Sequence, residues 1–291
     1  MGCKLCKKKG YQKINYLAPQ EKEIKIKDYT SEKDNNLEIL EIKYNILNYV
    51  PLVEFVNLLE QFNLDTLNII TDEPMRTKFG YDDEFLNKPI NRNEFQNFIE
   101  NKIYDLEDIN EILTNNQEIM KIFLEMCLQI YDNLEFALNQ NNKEENIIIK
   151  KRNILAIGML FCSCENIEKI KLFFDIFKNE KEEFAKSEAL DNYLLTLFLI
   201  SSYCLVKARE NINHSPLGIN ILSKEDLYNL LKVSQLKNCE YLVKIFNEEF
   251  FGEKNIKWED FKYKFENIEK SFGWVLTSKG IRRKLEKILS S

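Results

Sequence analysis

The sequence predicts an all-α protein, and three observations carry that expectation. Glycine and proline are scarce, eight and five in 291 residues, so helices can run on with short connections between them. Apolar residues recur at steps of three and four over long stretches, which is the period of one face of a helix. Convincing runs that alternate apolar and polar residues, the mark of half-buried strands, are absent. An apolar fraction of 44% and a charged fraction of 30% are those of a globular body with a well-solvated surface.

The elements follow in order. Residues 10–35 are mixed and charged, carry Pro19 and read as a linker. Helical period begins at Leu37 in LEILEIKYNILNYVPLVEFVNLLEQF, where Pro51 is placed to open a second helix. Residues 65–88, with Pro74, Gly80 and several acids, read as loop. Helices are expected over 93–101, 117–140, 153–163, 166–177 and 187–209. The last of these contains NYLLTLFLISSYCLV, about four residues short of a bilayer span, and is expected to be a buried helix. Residues 211–220 form a connector. Ser223, with Asp226 three residues on, is an N-cap pattern for a helix running to about 248. A helix over 259–271 and a basic one from Lys279 complete the chain. The division expected is an anchor and linker (1–35), an N-terminal helical lobe (36–125), a pair of helix–loop–helix units (126–210) and a C-terminal helical region (211–291).

One unit has further pattern. NILAIGMLFCSCENIEKIKLFFDIFKNEKEEFAKSEALDNYLLTLF runs helix, turn, helix ending F-D-I-F, polar loop, helix. It resembles the middle of an EF-hand protein, with Phe174 and Phe177 as the aromatics before the loop. The resemblance makes Phe184 the central apolar residue and Glu188 the closing acid, in a loop one residue short. A second loop would start at Asn142, 36 residues earlier, the spacing of a paired hand. Its ligand positions are Asn142, Glu144 and Asn146, with Ile149 central and Asn153 in place of the closing acid. GEKNIKWEDF resembles half of a loop, with Ile256 central, Asp260 closing and Phe261 after it. KPINRNEF places Ile90, Glu94 and Phe95 in the same way. Calcium requires six to eight oxygens and a Gly at the sixth loop position. No candidate has that Gly, and Lys178 puts a cation where the first carboxylate belongs, so degenerate units that bind little or no calcium are expected.

The N-terminus MGCKLCKKKG asks a separate question, because Cys3 and Cys6 form a C-x-x-C pair. Once Met1 is removed, Gly2 is the terminal amine and Cys6 takes the small-residue position of a myristoylation signal. The segment resembles the acylated N-termini of Src-family kinases, with cysteines at the same two places and lysines after them. One myristoyl chain holds a protein on a membrane only marginally; palmitate on Cys3 or Cys6, or a basic patch, makes the attachment durable. Lys4, Lys7, Lys8 and Lys9 supply the patch, and each cation near an anionic leaflet adds about 1 kcal/mol. A zinc site needs two further ligands, for which Cys162 and Cys164 are badly spaced, and a redox motif should follow a strand. Neuronal calcium sensors and myristoylated TLDc proteins combine such an N-terminus with hands. The former are shorter with live loops. The latter carry degenerate hands ahead of a segment similar to WEDFKYKFENIEKSFGWVL.

Charge sharpens the partner class. Residues 1–13 hold five lysines and no acid, so the rest of a chain of net −6 stands at −11. A basic arm on an acidic body suits an anionic membrane surface and is the wrong distribution for nucleic acid. Seven cysteines without a secretory leader point to reduced thiols in the cytosol. No phosphate-binding glycine loop, metalloprotease motif or nucleophile elbow occurs, and the single histidine, His214, sits in the connector as a surface residue. Trp274 in GWVLTS is read as a helix seam ahead of a docking patch. The expectation is therefore a non-enzymatic adaptor without cofactor. It would sit on the cytosolic face of a membrane, with the plasma membrane as candidate, and bind an amphipathic helix of a protein partner. The alternative is a calcium-responsive sensor with one atypical loop.

Overall fold

The structure is a computed structural model that describes residues 41, 44–62, 76–77, 80–81, 83–114, 116–139, 148–212, 235–251, 255–266 and 271–289. These residues are mostly helical, as the sequence leads one to expect. A 3₁₀ turn at Ile46–Tyr49 precedes α1 (Leu52–Gln61), which has Pro51 at its N-cap. Next come the two-residue strands β1 (Arg76–Thr77) and β2 (Gly80–Tyr81), paired antiparallel, and the short α2 (Asp83–Asn87). In α3 (Arg92–Phe98) a capping box closes both ends of the first turn: Asn91 Oδ1 accepts from Glu94 N at 3.0 Å, and Glu94 Oε2 accepts from Asn91 N at 2.7 Å. A π turn at Ile99–Ile103 follows, then α4 (Glu107–Thr114), a helix beyond those expected.

The long helices build the core. In α5 (Gln117–Asn139) the buried residues Ile122, Phe123, Met126, Cys127, Ile130, Tyr131, Leu134 and Ala137 recur at steps of one, three and four, one face of a straight helix. The helix α6 (Lys151–Phe161) is buried on every side except at Asn153, so it is the central helix. After α7 (Asn166–Phe177) comes β3 (Glu183–Phe184). Then α8 (Glu188–Leu199), capped by Ser187, runs through a π turn at Ile200–Cys204 into α9 (Leu205–Ile212). The chain ends with α10 (Leu236–Phe251), β4 (Ile256–Lys257), α11 (Trp258–Glu266), a 3₁₀ turn at Gly273–Leu276 and α12 (Ser278–Leu289).

Ser31–Ser291 form one compact unit. Within it α1 and α8 pack on α6, α3 and α9 on α5, α10 on α8, and α11 on α7. The buried apolar residues from Tyr44 to Leu285 make one continuous cluster, so the two expected lobes share a single core. The expected division at 125/126 falls inside α5. The stretch Glu188–Glu210 is long and apolar enough to cross a membrane by composition, yet 72% of its apolar window is buried inside the body. That is the behaviour of a core helix. Trp274 stacks on Phe198 at 5.8 Å and meets Phe246 edge-on at 6.3 Å, as a seam residue does.

Gly158 sets how closely α1 can approach α6. A Cβ there would lie 2.5 Å and 2.6 Å from two ring carbons of Phe55. Phe55 cannot yield easily, because it is fully buried and stacked edge-on to Phe98 at 5.5 Å. Gly158→Ala gains about 1 kcal/mol of helix propensity, and overpacking costs about 1–3 kcal/mol. Chemical denaturation is expected to show a net loss for Gly158→Ala, with part of it restored when Phe55→Leu is added. A Gly158→Ala chain more stable than wild type would contradict this packing.

Candidate functional site

The residues that join the helices come together in two places. In the first, β3 and β4 pair antiparallel, with Phe184 opposite Ile256 and Glu183 opposite Lys257. Phe184 is fully buried, and its ring lies between 4.5 Å and 6.2 Å from those of Phe173, Phe174, Phe177, Phe250, Phe251 and Phe261. In the second, Ile90 N donates to Ile149 O and Lys151 N to Lys88 O, both at 2.9 Å. Ile90 and Ile149 are also fully buried. Backbone groups this deep must find partners, and each pairing satisfies them without a long strand. The spacing of 36 residues led to an expected partnership between the loop at 178 and the one at 142. The loop at 178 instead takes its strand partner from residues 256–257.

Three side-chain oxygens near these pairings, on Glu94, Asn153 and Asn179, are engaged with backbone amides. Glu94, a candidate closing acid, caps α3 as described above. Asn153 occupies the corresponding position, third in α6. Its Oδ1 accepts from Lys150 N at 2.8 Å, and its Nδ2 donates to Thr196 Oγ1 at 2.8 Å. Between α7 and α8, Asn179 Oδ1 accepts from the amides of Lys181 and Glu183 at 2.9 Å and 3.0 Å. Glu182 takes a positive φ of 57° there, the turn conformation that glycine adopts without strain. Glu188 and Asp260 stand exposed in the first turns of α8 and α11. Gly2, Cys3, Lys4, Cys6, Lys7, Lys8 and Lys9 lie outside the described residues, as do Asn142, Glu144, Asn146 and His214. Among the described residues no three His, Cys, Asp or Glu side chains group as a metal site requires.

A groove of about 340 Å³ opens between α1 and α7. Leu52, Val56 and Leu172 form its buried floor and Val53 and Ile167 its walls, with Glu168, Lys171 and Asp175 along the rim. Val53 is half exposed. Lys171 bonds Asp175 at 2.7 Å and stands 5.1 Å from the centroid of Trp258, so this rim is braced from below. The described cysteines are chemically quiet. Burial pushes the Cys164 thiol up to about 11 and the Cys239 thiol up to about 12, and it raises Cys127, Cys162 and Cys204 as well. Thiols in that range hold almost no thiolate at neutral pH.

Lys151 was not singled out by sequence. Its neighbours Lys150 and Arg152 make the run look like a solvated helix start, yet Lys151 is 1% exposed. Its Nζ donates to Leu59 O at 2.7 Å and Phe62 O at 2.6 Å and lies 4.7 Å from the centroid of Phe85. It thereby fills orphan carbonyls at the C-terminus of α1 with a cation, the sign that end of a helix favours. No family, curated protein or solved structure matches the chain.

Burial lowers the Lys151 ammonium to about 8 from 10.5, and Lys88 adds to the fall. The unfolded chain therefore binds this proton more tightly than the folded one. Stability owed to this group rises with pH between about 8 and 10.5, and it is lost as pH falls through 8. Unfolding free energies of wild type and Lys151→Met, measured at pH 7.5 and pH 10, are expected to diverge in favour of wild type at the higher pH. Buried tyrosines act equally in both chains and cancel in the difference. Parallel pH profiles would refute the assignment.

Proposed function

We propose that this chain is a membrane-tethered adaptor without catalytic activity. Its body is two pairs of degenerate EF-hand units, and its groove between α1 and α7 receives an amphipathic helix of a protein partner. One observation carries the reading of the body. Four residues picked out by sequence pattern as the central apolar position of a loop, Ile90, Ile149, Phe184 and Ile256, meet two by two across short antiparallel pairings. The packing agrees: α1 lies on α6 and α3 on α5 around the first pairing, α7 on α11 and α8 on α10 around the second.

The groove supports the adaptor part. Its floor and walls are aliphatic, which suits apolar residues three and four apart on a partner helix. Glu168 at the rim favours a basic residue flanking it, whereas Asp175 is already paired with Lys171 and Lys178. The alternative, a calcium-responsive sensor, would need oxygens that the caps at Asn91, Lys150 and Asn179 already engage. The raised thiols leave no described cysteine ready as a nucleophile. The tether rests on Gly2, Cys3 and Cys6 with the lysines after them.

Fractionation of cells tests the tether, and crosslinking tests the groove. Gly2→Ala is expected to move the chain from membranes to the cytosol. A photo-crosslinking residue at Val53 should trap one peptide with apolar residues at helical spacing, which the same probe at Tyr241 does not reach. Gly2→Ala protein that stays on membranes would remove the tether, and equal, scattered crosslinks at both sites would remove the groove.

A further inference from the structure

The groove between α1 and α7 has two unlike ends. Both helices start at one of them, where the segments that precede them are tied together. Leu52 N donates to Ser163 O and Ser163 N to Val50 O, both at 3.0 Å. The lining begins from that tie, with Leu52, Val53 and Val56 from the first turns of α1 and residues 167–175 along α7. Eight residues of helix span about 12 Å, which is room for two turns of a partner helix.

Charge differs between the ends. Glu54 stands exposed in the first turn of α1, and Glu165 and Glu168 stand exposed at the start of α7. Glu168 Oε2 accepts from Glu165 N at 3.0 Å, which caps the helix and leaves the carboxylate its charge. Lys169, the cation of that turn, faces away; it is buried and reaches Leu276 O at 3.5 Å. Two turns on, Asp175 lies between Lys171 at 2.7 Å and Lys178 at 3.3 Å, so two ammonium groups share one carboxylate. The groove therefore runs from an end with three acids to an end with one cation in excess.

Two effects then act on a bound helix in the same sense. A helix favours acids in its first turn and cations in its last. Laid with its last turn over the starts of α1 and α7, it brings those cations to Glu54, Glu165 and Glu168 and its acids to Lys171. Its C-terminal carbonyls also meet the N-terminal, positive ends of both groove helices. Laid the other way, each of these attractions becomes a repulsion.

We propose that the groove takes its partner helix in one direction only. The partner has an acidic first turn beside Lys171, apolar residues at steps of three and four over the floor, and a basic last turn at the end tied by Pro51 and Ser163. The proposal rests on the groove reading above and adds the direction and the charge pattern.

The test uses the full-length chain and one synthetic peptide with blocked ends. The peptide has three leucines at steps of three and four, two glutamates in its first turn and two arginines in its last. Copies carry a benzophenone at one end or the other. The C-terminal benzophenone is expected to crosslink within 49–54 or 163–168, and the N-terminal one within 171–178. Glu54→Gln combined with Glu168→Gln is expected to weaken binding about two- to thirtyfold, as two exposed charge pairs would. A peptide with glutamine for both arginines should not feel that change. Glutamine at 168 keeps the cap, so the variant should melt with wild type. A reversed crosslink pattern, or unchanged affinity in the double variant, would overturn the direction and leave the groove standing. A peptide that crosslinks to neither segment would overturn the groove itself and the direction with it.

Discussion

The helices of this chain are held in place by two short backbone pairings, Phe184 with Ile256 and Ile90 with Ile149. Each is only a residue or two long, and each lies where four helices converge. A contact so small is strong only when dry, and burial keeps it dry: all these residues but Ile256, itself 6% exposed, are sealed from solvent. Six aromatic rings surround Phe184. Rings set edge-on or offset at such distances add about 0.5–1.5 kcal/mol per pair beyond the area they bury, so the pairing and the aromatic core stabilise each other. The caps complete the arrangement. Glu94, Asn153, Asn179 and Ser187 each direct an oxygen to an amide at or before a helix start, so side chains of this chain brace the described connecting segments.

The helices were legible in the sequence wherever one face met the core. Residues 166–177 and most of 117–140 match the observed elements because their apolar spacing is regular over three turns or more. The two-residue strands left no periodic signal, since a period of two cannot show in two residues. The helix α4 was missed because its apolar face is short; among its described side chains only Ile109 is fully buried. The central apolar positions of the loops were legible, whereas their partnership was not. Spacing alone favoured neighbours in sequence, while packing of α7 on α11 and α8 on α10 joins segments some seventy residues apart. Lys151 and Arg282 were illegible for another reason. A cation in a basic run reads as surface, and only the three-dimensional placement of backbone carbonyls and of Glu41 gives each a buried role.

Function follows from how these constraints divide the surface. The core consumes the apolar side of nearly every helix, including the stretch that could by composition cross a membrane. What stays open among the described residues includes an aliphatic groove between α1 and α7. Arg282 links α12 to the rest, binding the carbonyl of Ser201 in the π turn and the carboxylate of Glu41 at once. A buried pair of this kind adds little stability for its desolvation cost and is better understood as fixing position. It sets α12 against the body and ties the start of the described chain to it. The groove is the feature on which the proposed adaptor reading draws.

The central claim is that the two pairings close without an ion. Hydrogen exchange of the amides of Ile90 and Lys151, and of the segments 183–184 and 256–257, tests it most directly. The measurement should be made once with a calcium chelator and once with millimolar calcium. Slow exchange with the chelator, unchanged by calcium, is the predicted result. Fast exchange with the chelator that becomes slow when calcium is added would mean that an ion assembles these loops, and would make the protein a calcium sensor.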